Sequence, residues 1–295
     1  MNPEACEWPV EKVLSLLEYA GKRTLALRSD FNAGIKEDLS VVTVADKETE
    51  DIFVSKFHRP QKETYVIGEE GFGDKTRQDF EQAMHGLCYI VDPLDGTDPY
   101  VRGLHHWGIS VGLMRRGDLC EGAVHLPCSG EYFYTAGGIS YYYRKANGRN
   151  STHKAVRLSS PHTKNMEFLP VAVSQAVLKE NSAPQIKGQI HALGCAVVPC
   201  AYMALGRYHA YIGKVKLWDI AGIWPVLRQI EFQICRVSDR KYVSDILEVF
   251  DKDPGSSTFL AMKEAVVLAV AHEGKNIAAS IRTTKVYHER IKGNR

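Results

Sequence analysis

The sequence predicts a mixed protein in two halves, an α+β half first and a layered α/β half after it. Three features of the 295 residues point there. Helical periodicity opens the chain, short apolar runs parted by turn residues fill its middle, and strand-like and helix-like segments alternate beyond about residue 150.

The first element is an amphipathic helix over residues 10–27, with Val10, Val13, Leu14, Leu17 and Ala20 on one face. A polar segment holding Lys36, Asp38 and Ser40 leads to Val41-Val42-Thr43-Val44-Ala45-Asp46. A second helix is expected from Asp46, its candidate cap, to Phe57. Tyr65-Val66-Ile67 reads as a strand ending in Gly68-Glu69-Glu70, and Cys88-Tyr89-Ile90-Val91 as another that runs straight into Asp92. Strands at 109–114, 122–126 and 132–135 read as antiparallel hairpins. The polar, Gly/Asn-rich stretch at 145–152 is the candidate boundary, dividing the chain into 1–150 and 151–295. Beyond it, strands are expected at 169–174, 190–193, 208–212 and 266–270. Helices are expected at 196–205, from 218 to about 229, and from about 275.

Composition excludes several classes of function. With 44% hydrophobic and 24% charged residues the chain is ordinary globular protein. A net charge of +2 offers no general surface for a nucleic-acid polymer or a membrane. No apolar run approaches membrane-spanning length, and Glu4, Glu7 and Glu11 interrupt any secretory leader. Seven cysteines, an odd number without a C-x-x-C pair, fit reduced thiols better than a disulfide framework. A soluble cytoplasmic protein is expected. The eleven histidines show no zinc spacing.

The most telling segment is Asp92-Pro93-Leu94-Asp95-Gly96-Thr97, two carboxylates three residues apart at the end of a strand. Hard divalent cations take oxygen ligands from carboxylates and carbonyls, and a glycine lets backbone approach a ligand closely. Asp46, Glu69 with Glu70, and Asp219 in Trp218-Asp219-Ile220-Ala221-Gly222 also end apolar segments. Acids at strand ends of an α/β sheet tend to converge on one crevice. Taken singly, each has a plainer reading: Asp46 and Asp219 as helix caps, Glu69 and Glu70 as solvated loop acids.

The ordered set Val42-Thr43-Val44-Ala45-Asp46, Gly68-Glu69-Glu70, Asp92 to Thr97 and Trp218 to Gly222 resembles the inositol monophosphatase superfamily of lithium-sensitive, magnesium-dependent phosphatases. The resemblance implies a layered αβαβα sandwich of the sugar-phosphatase type. It implies a phosphomonoesterase acting on a small phosphorylated metabolite, an inositol or sugar monophosphate first. A 3′(2′),5′-bisphosphate nucleotidase, a fructose-1,6-bisphosphatase or a catalytically silent phospholigand-binding relative are the alternatives. It implies two or three Mg²⁺ ions held by Glu69, Asp92, the Leu94 carbonyl, Asp95 and Asp219. Thr97 paired with Asp46, together with Glu70, would orient the attacking water. The amides of Gly96 and Thr97 would cradle phosphate, and Lys36 matches a loop lysine near the metals. A homodimer is expected on the same basis. The chemistry needs no nucleophilic Ser, Cys or His, so His105, His106 and Cys195 are read as loop or packing residues.

Two departures stand out. After Thr97 the chain reads Asp98-Pro99-Tyr100, where relatives carry Asn or Glu ahead of an aromatic. Where inositol-specific relatives place an acid for sugar hydroxyls, this chain has Ile212, followed by Gly213-Lys214-Val215-Lys216. Lys214 and Lys216 would suit a second anionic group on the substrate, or alternate on a solvated edge.

Overall fold

The computed structural model describes residues 8–28, 33–35, 41–71, 77–145, 154–161, 166–179, 182–184, 186–253, 256, 259–270 and 273–283. Lys36 and most of the expected boundary at 145–152 lie outside them.

Local patterning builds two sheets. Thr64–Gly68, Leu87–Asp95, Gly108–Arg115, Asp118–Leu126, Glu131–Ala136, Ile139–Arg144 and Val156–Arg157 form a seven-stranded sheet in chain order. Its first two strands are parallel, joined through the helix Arg77–His85, and the rest are antiparallel. A six-stranded sheet follows, in the spatial order Ile190–His191, Val171–Val173, Ala210–Gly213, Val266–Val270, Phe232–Arg236, Tyr242–Val243.

Side-chain alternation then fixes the layers, because successive residues of a strand face opposite sides. Tyr89 and Val91 pack with Val13 and Leu17 of helix Val10–Leu27 and with Phe53 and Phe57 of helix Val44–Phe57. Cys88 and Ile90 face the other way, into a central layer with Val197 and Cys200 of helix Val197–Met203, Trp218 and Ile220 of helix Leu217–Ala221, and Leu268 of the second sheet. On the far side, Val171, Val173, Ile212 and Val267 bury Val177 of helix Gln175–Lys179 and Ile277 of helix Glu273–Ser280. The order helix, sheet, helix, sheet, helix is the αβαβα sandwich expected. Each large side chain taken fully from water, such as Phe53, contributes about 2 kcal/mol to it.

Three local readings change. Thr43, not Asp46, caps the second helix; its side chain accepts from Ala45 and Asp46 N–H, and Asp46 reciprocates in a capping box. The single helix expected from 218 to 229 is two, Leu217–Ala221 and Trp224–Arg228, because Pro225 lacks the amide a continuous helix would need. Strands Ile139–Arg144 and Phe232–Arg236 were not expected: Tyr141-Tyr142-Tyr143 lacks apolar alternation, and Gln233 and Arg236 interrupt the apolar run of the second.

Candidate active site

The strands Thr64–Gly68 and Leu87–Asp95 run parallel, so they end at one edge and bring Glu69 beside the second strand's acids. In a regular strand Asp92 and Asp95, three residues apart, would face opposite sides. A register shift between them against Gly108–Arg115 breaks the alternation and turns both carboxylates to one place. Asp219 arrives from the opposite half on helix Leu217–Ala221. That helix lies flush on the first sheet because a Cβ at Gly112 would collide with the Ala221 carbonyl, and one at Gly122 with the Gly222 carbonyl. Gly222 N–H donates to Ser110 Oγ at 3.2 Å. The small residues after Asp219 therefore set its position.

One carboxylate oxygen from each of Asp92, Asp95 and Asp219 lies within 4.8 Å of the other two. Asp92 is wholly buried; its Oδ1 accepts from Leu94 N–H at 3.1 Å, while its buried Oδ2 has no hydrogen-bond partner. Asp95 Oδ2 accepts from Ala196 N–H at 2.8 Å and from Val197 N–H. Asp219 Oδ2 accepts from Lys216 N–H at 2.8 Å. Burial, then the charges of Asp95, Glu69 and Asp219, push the Asp92 carboxyl well up. Burial and Asp219 do the same to Asp95 against its two amide bonds. Burial and Glu69 raise Asp219 to about 7. Buried like charges with an unpartnered oxygen are costly, and a hard divalent cation is the ligand such an oxygen set fits.

Beside the triad, Thr97 Oγ1 sits 3.0 Å from Asp46 Oδ1 and 3.1 Å from the Leu94 carbonyl. Asp46 Oδ2 is occupied by Thr43 N–H at 2.7 Å and Thr43 Oγ1 at 2.5 Å, which leaves Oδ1 to Thr97. Burial raises the Asp46 carboxyl to about 6, with the Glu70 charge adding to it. Thr97 opens the short helix Thr97–Val101, anchored by Tyr100 OH to the Thr24 carbonyl at 2.8 Å. Gly96 before it has φ 96°, and a Cβ there would meet the His106 carbonyl at 2.6 Å. Only glycine takes that turn at that spacing.

Sequence reasoning missed Glu50. Its buried carboxylate accepts from Glu70 N–H at 2.7 Å and Gly71 N–H at 2.6 Å, and so holds the Glu69-Glu70 turn. A Cβ on Gly68 would collide with that carboxylate, and one on Gly71 would come within 2.7 Å of it. The available signal was position: Glu50 follows Asp46 by four residues, on the same face of one helix.

A cavity of about 870 Å³ has Glu69, Asp92, Asp95, Thr97 and Asp219 on its wall together with Leu94 and Gly96; Asp46, Glu50 and Glu70 are not among its lining residues. Lys214 and Lys216 line it too, as do Lys179, Gln175 and Tyr211, which sequence reasoning did not single out. Ile212 does not. It is fully buried on the opposite side of its strand, and the alternation that hides it turns Tyr211 to the cavity instead. Asp98 pairs with Arg102 Nε at 2.9 Å at the cavity's edge, and Pro99 packs against Gly194, whose own Cβ would stand 3.1 Å from Pro99 Cγ. Cys195 lines the cavity, but burial and the Asp95 charge hold its thiol protonated, so it is no nucleophile.

Fold and acid cluster together are those of a phosphatase of the sugar-phosphatase fold. The chain belongs to the inositol monophosphatase family, whose model matches residues 11–282. It is 25% identical over 249 residues to the Nus factor SuhB of Xylella fastidiosa, covering 83% of this chain and 84% of the relative. It is 26% identical over 200 residues to the inositol-1-monophosphatase of Bacillus subtilis, covering 64% and 70%. In fold it is similar to the crystal structure of extragenic suppressor protein suhB from Bartonella henselae, with a TM-score of 0.66 at 17% identity over 91% of this chain and 96% of that one.

Proposed function

We propose that the protein is a Mg²⁺-dependent phosphomonoesterase that hydrolyses a small phosphorylated metabolite, of the inositol or sugar phosphate class, by attack of water. The observation that carries this reading is the convergence of Asp92, Asp95 and Asp219 within 4.8 Å, one buried oxygen unpartnered, beside the Thr97–Asp46 pair.

In this reading Glu69, Asp92, the Leu94 carbonyl, Asp95 and Asp219 hold the two or three Mg²⁺ ions. Bound there, the ions supply positive charge that offsets carboxylate–phosphate repulsion and acidify nearby water. The chain's own residues do the positioning. Thr97 donates its hydroxyl proton toward Asp46 Oδ1, so Thr97 Oγ1 turns a lone pair to the attacking water and receives its proton. Asp46, ionised above about pH 6, accepts the charge shift. Glu70, whose charge acts on Asp46, helps to orient the water in this reading. The Gly96 and Thr97 amides meet the phosphate oxygens. As Thr97 takes the water's proton its own passes to Asp46 Oδ1, the water oxygen bonds to phosphorus and the ester P–O bond breaks, giving orthophosphate. The departing alkoxide takes a proton from solvent water to leave as the alcohol, and Asp46 returns its proton to solvent.

The Xylella relative bears the name of a Nus factor, not of an enzyme. A silent phospholigand binder is thus the rival reading, but this chain keeps every acid of the proposed site. A homodimer and sensitivity to lithium belong to the proposal through family membership. A cytoplasmic location fits the free thiols of the six described cysteines. A phosphate-release panel of inositol, sugar and 3′-nucleotide phosphates with Mg²⁺ tests it. Mg²⁺-dependent release from inositol or sugar phosphates, suppressed by lithium, is expected; turnover of the nucleotide alone would sink the substrate class, and no release at all the enzyme.

A further inference from the structure

We infer that Arg28 is a positioning residue for the reaction: its guanidinium fixes the helix Thr97–Val101 and so keeps Thr97 against Asp46; this rests on the phosphatase reading above. That helix has five residues. A helix of this length does not hold together in water by its own hydrogen bonds, so outside contacts set where Thr97 sits. They come from the end of helix Val10–Leu27, where Thr24 and its C-cap Arg28 stand four residues apart on one face. Tyr100 OH donates to the Thr24 carbonyl at 2.8 Å. Arg28 donates from Nε to the Tyr100 carbonyl at 3.2 Å and from Nη2 to the Leu104 carbonyl. Its Nη1 reaches Cys128 Sγ at 3.8 Å.

Each nitrogen of the guanidinium thus has a partner, and two of the three partners are carbonyls of the chain just after Thr97. The rigid planar fork allows this; a lysine ammonium is a compact point on a flexible stem and does not span both carbonyls. The guanidinium carbon also lies 5.6 Å from the Tyr100 ring centroid and 6.0 Å from that of Trp107, the two rings meeting edge-on at 5.1 Å. Trp107 bounds the other side of the turn: a Cβ at Gly96 would stand 3.1 Å from Trp107 Cβ. Arg28 therefore grips the segment that follows Thr97 and touches the ring that backs Gly96 before it. Asp46, the other member of the pair, is referred to the same helix. Thr24 Oγ1 lies 3.2 Å from Thr49 Oγ1 on helix Val44–Phe57, which carries Asp46, and Arg23 pairs with Glu48 at 2.8 Å. The end of helix Val10–Leu27 thus locates both sides of the 3.0 Å contact between Thr97 and Asp46. A shift of about 1 Å at a reacting group costs up to about 100-fold in rate.

A double-mutant cycle tests this, with purified full-length protein, Mg²⁺ and the phosphate monoester of the panel above that is released fastest. Arg28→Ala is expected to lower kcat at least about tenfold while KM and the Mg²⁺ concentration for half-activation move less than about threefold. Arg28→Lys restores little of the loss. In the Thr97→Ala background the same substitution lowers kcat less than about twofold, because the group it positions is gone. A merely structural role would multiply the loss equally in both backgrounds. Hydrogen exchange gives a readout without turnover: Arg28→Ala speeds exchange of the Tyr100, Gly103 and Leu104 amides, bonded to the Gly96, Tyr100 and Pro99 carbonyls, and leaves helix Val44–Phe57 as it is. Where Arg28→Ala does not fold, Arg28→Lys and Tyr100→Phe carry the same two measurements. An unchanged kcat, an equal loss in both backgrounds, or unchanged exchange over residues 97–104 overturns this inference and leaves the phosphatase standing. No phosphate release from wild type overturns the phosphatase and, with it, the part Arg28 plays in turnover.

Discussion

Thr97 has one proton and two acceptors within reach, Asp46 Oδ1 at 3.0 Å and the Leu94 carbonyl at 3.1 Å. In the proposed reaction its value lies in the lone pair left over for water. Thr97→Ala is expected to lower kcat by about 100-fold or more with KM little changed, and Thr97→Ser to restore most of it; steady-state kinetics decides, and an equal fall in both variants would point to packing. Asp92 makes the opposite trade. Its carboxylate is buried among like charges with one oxygen unpartnered. Asp92→Asn is expected to raise the melting temperature of the metal-free protein while abolishing turnover, measurable by scanning calorimetry in chelator. A drop in melting temperature would mean the acid is held by contacts other than the proposed ions.

The elements that carry the site are fixed by close approaches at small residues. The turn Gly68 to Gly71 wraps the Glu50 carboxylate, which binds the Glu70 and Gly71 amides. Glu50→Gln puts an amide group against those donors, so the Mg²⁺ concentration for half-activation should rise about tenfold or more. A Mg²⁺ titration of activity and of melting temperature reads it, and identical titrations for both proteins would remove Glu50 from the site's support. Gly112→Ala would press a methyl into the Ala221 carbonyl beneath helix Leu217–Ala221. A loss of about 1–3 kcal/mol in urea unfolding is expected. The acids were legible in the sequence because Asp92, Asp95 and Asp219 sit in short motifs with their own turn and helix signals. Glu50, Gly112 and Gly122 were not, since what they do depends on a partner far along the chain or across a layer. Ile212 misled for a similar reason: its place in the motif is local, but which face it shows is set by pairing with Val173 and Val267.

Across the whole molecule, two groups of buried titratable residues pull stability in opposite directions with pH. Asp46 and Asp219, raised to about 6 and about 7, bind protons more tightly folded than unfolded, so without metal they cost stability as pH climbs from about 4 through those values. Mg²⁺ should therefore raise the melting temperature more at pH 8 than at pH 5.5. His125, stacked 3.9 Å from the Tyr132 ring, is pushed by burial down to about 4. Its neutral form is the folded form, so the stability it gives is present above about pH 6.5 and is lost as pH falls toward about 4, on the order of 3 kcal/mol. Urea unfolding at saturating Mg²⁺ should show that loss in wild type and not in His125→Phe. The layer order came from the family resemblance, with periodicity supplying only the single helices and strands, while the order of strands in the second sheet came from neither, because Phe232–Arg236 and Val266–Val270 pair over a span that no local pattern encodes. All of these layers serve to bring Asp219 to Asp92 and Asp95. The most direct check is the rate of phosphate release as Mg²⁺ is added from chelator, in wild type and in Asp95→Asn. Saturable activation of wild type and at least about a 1,000-fold lower rate for the variant are expected; release that persists in chelator, or that Asp95→Asn leaves intact, would contradict a metal-dependent carboxylate site.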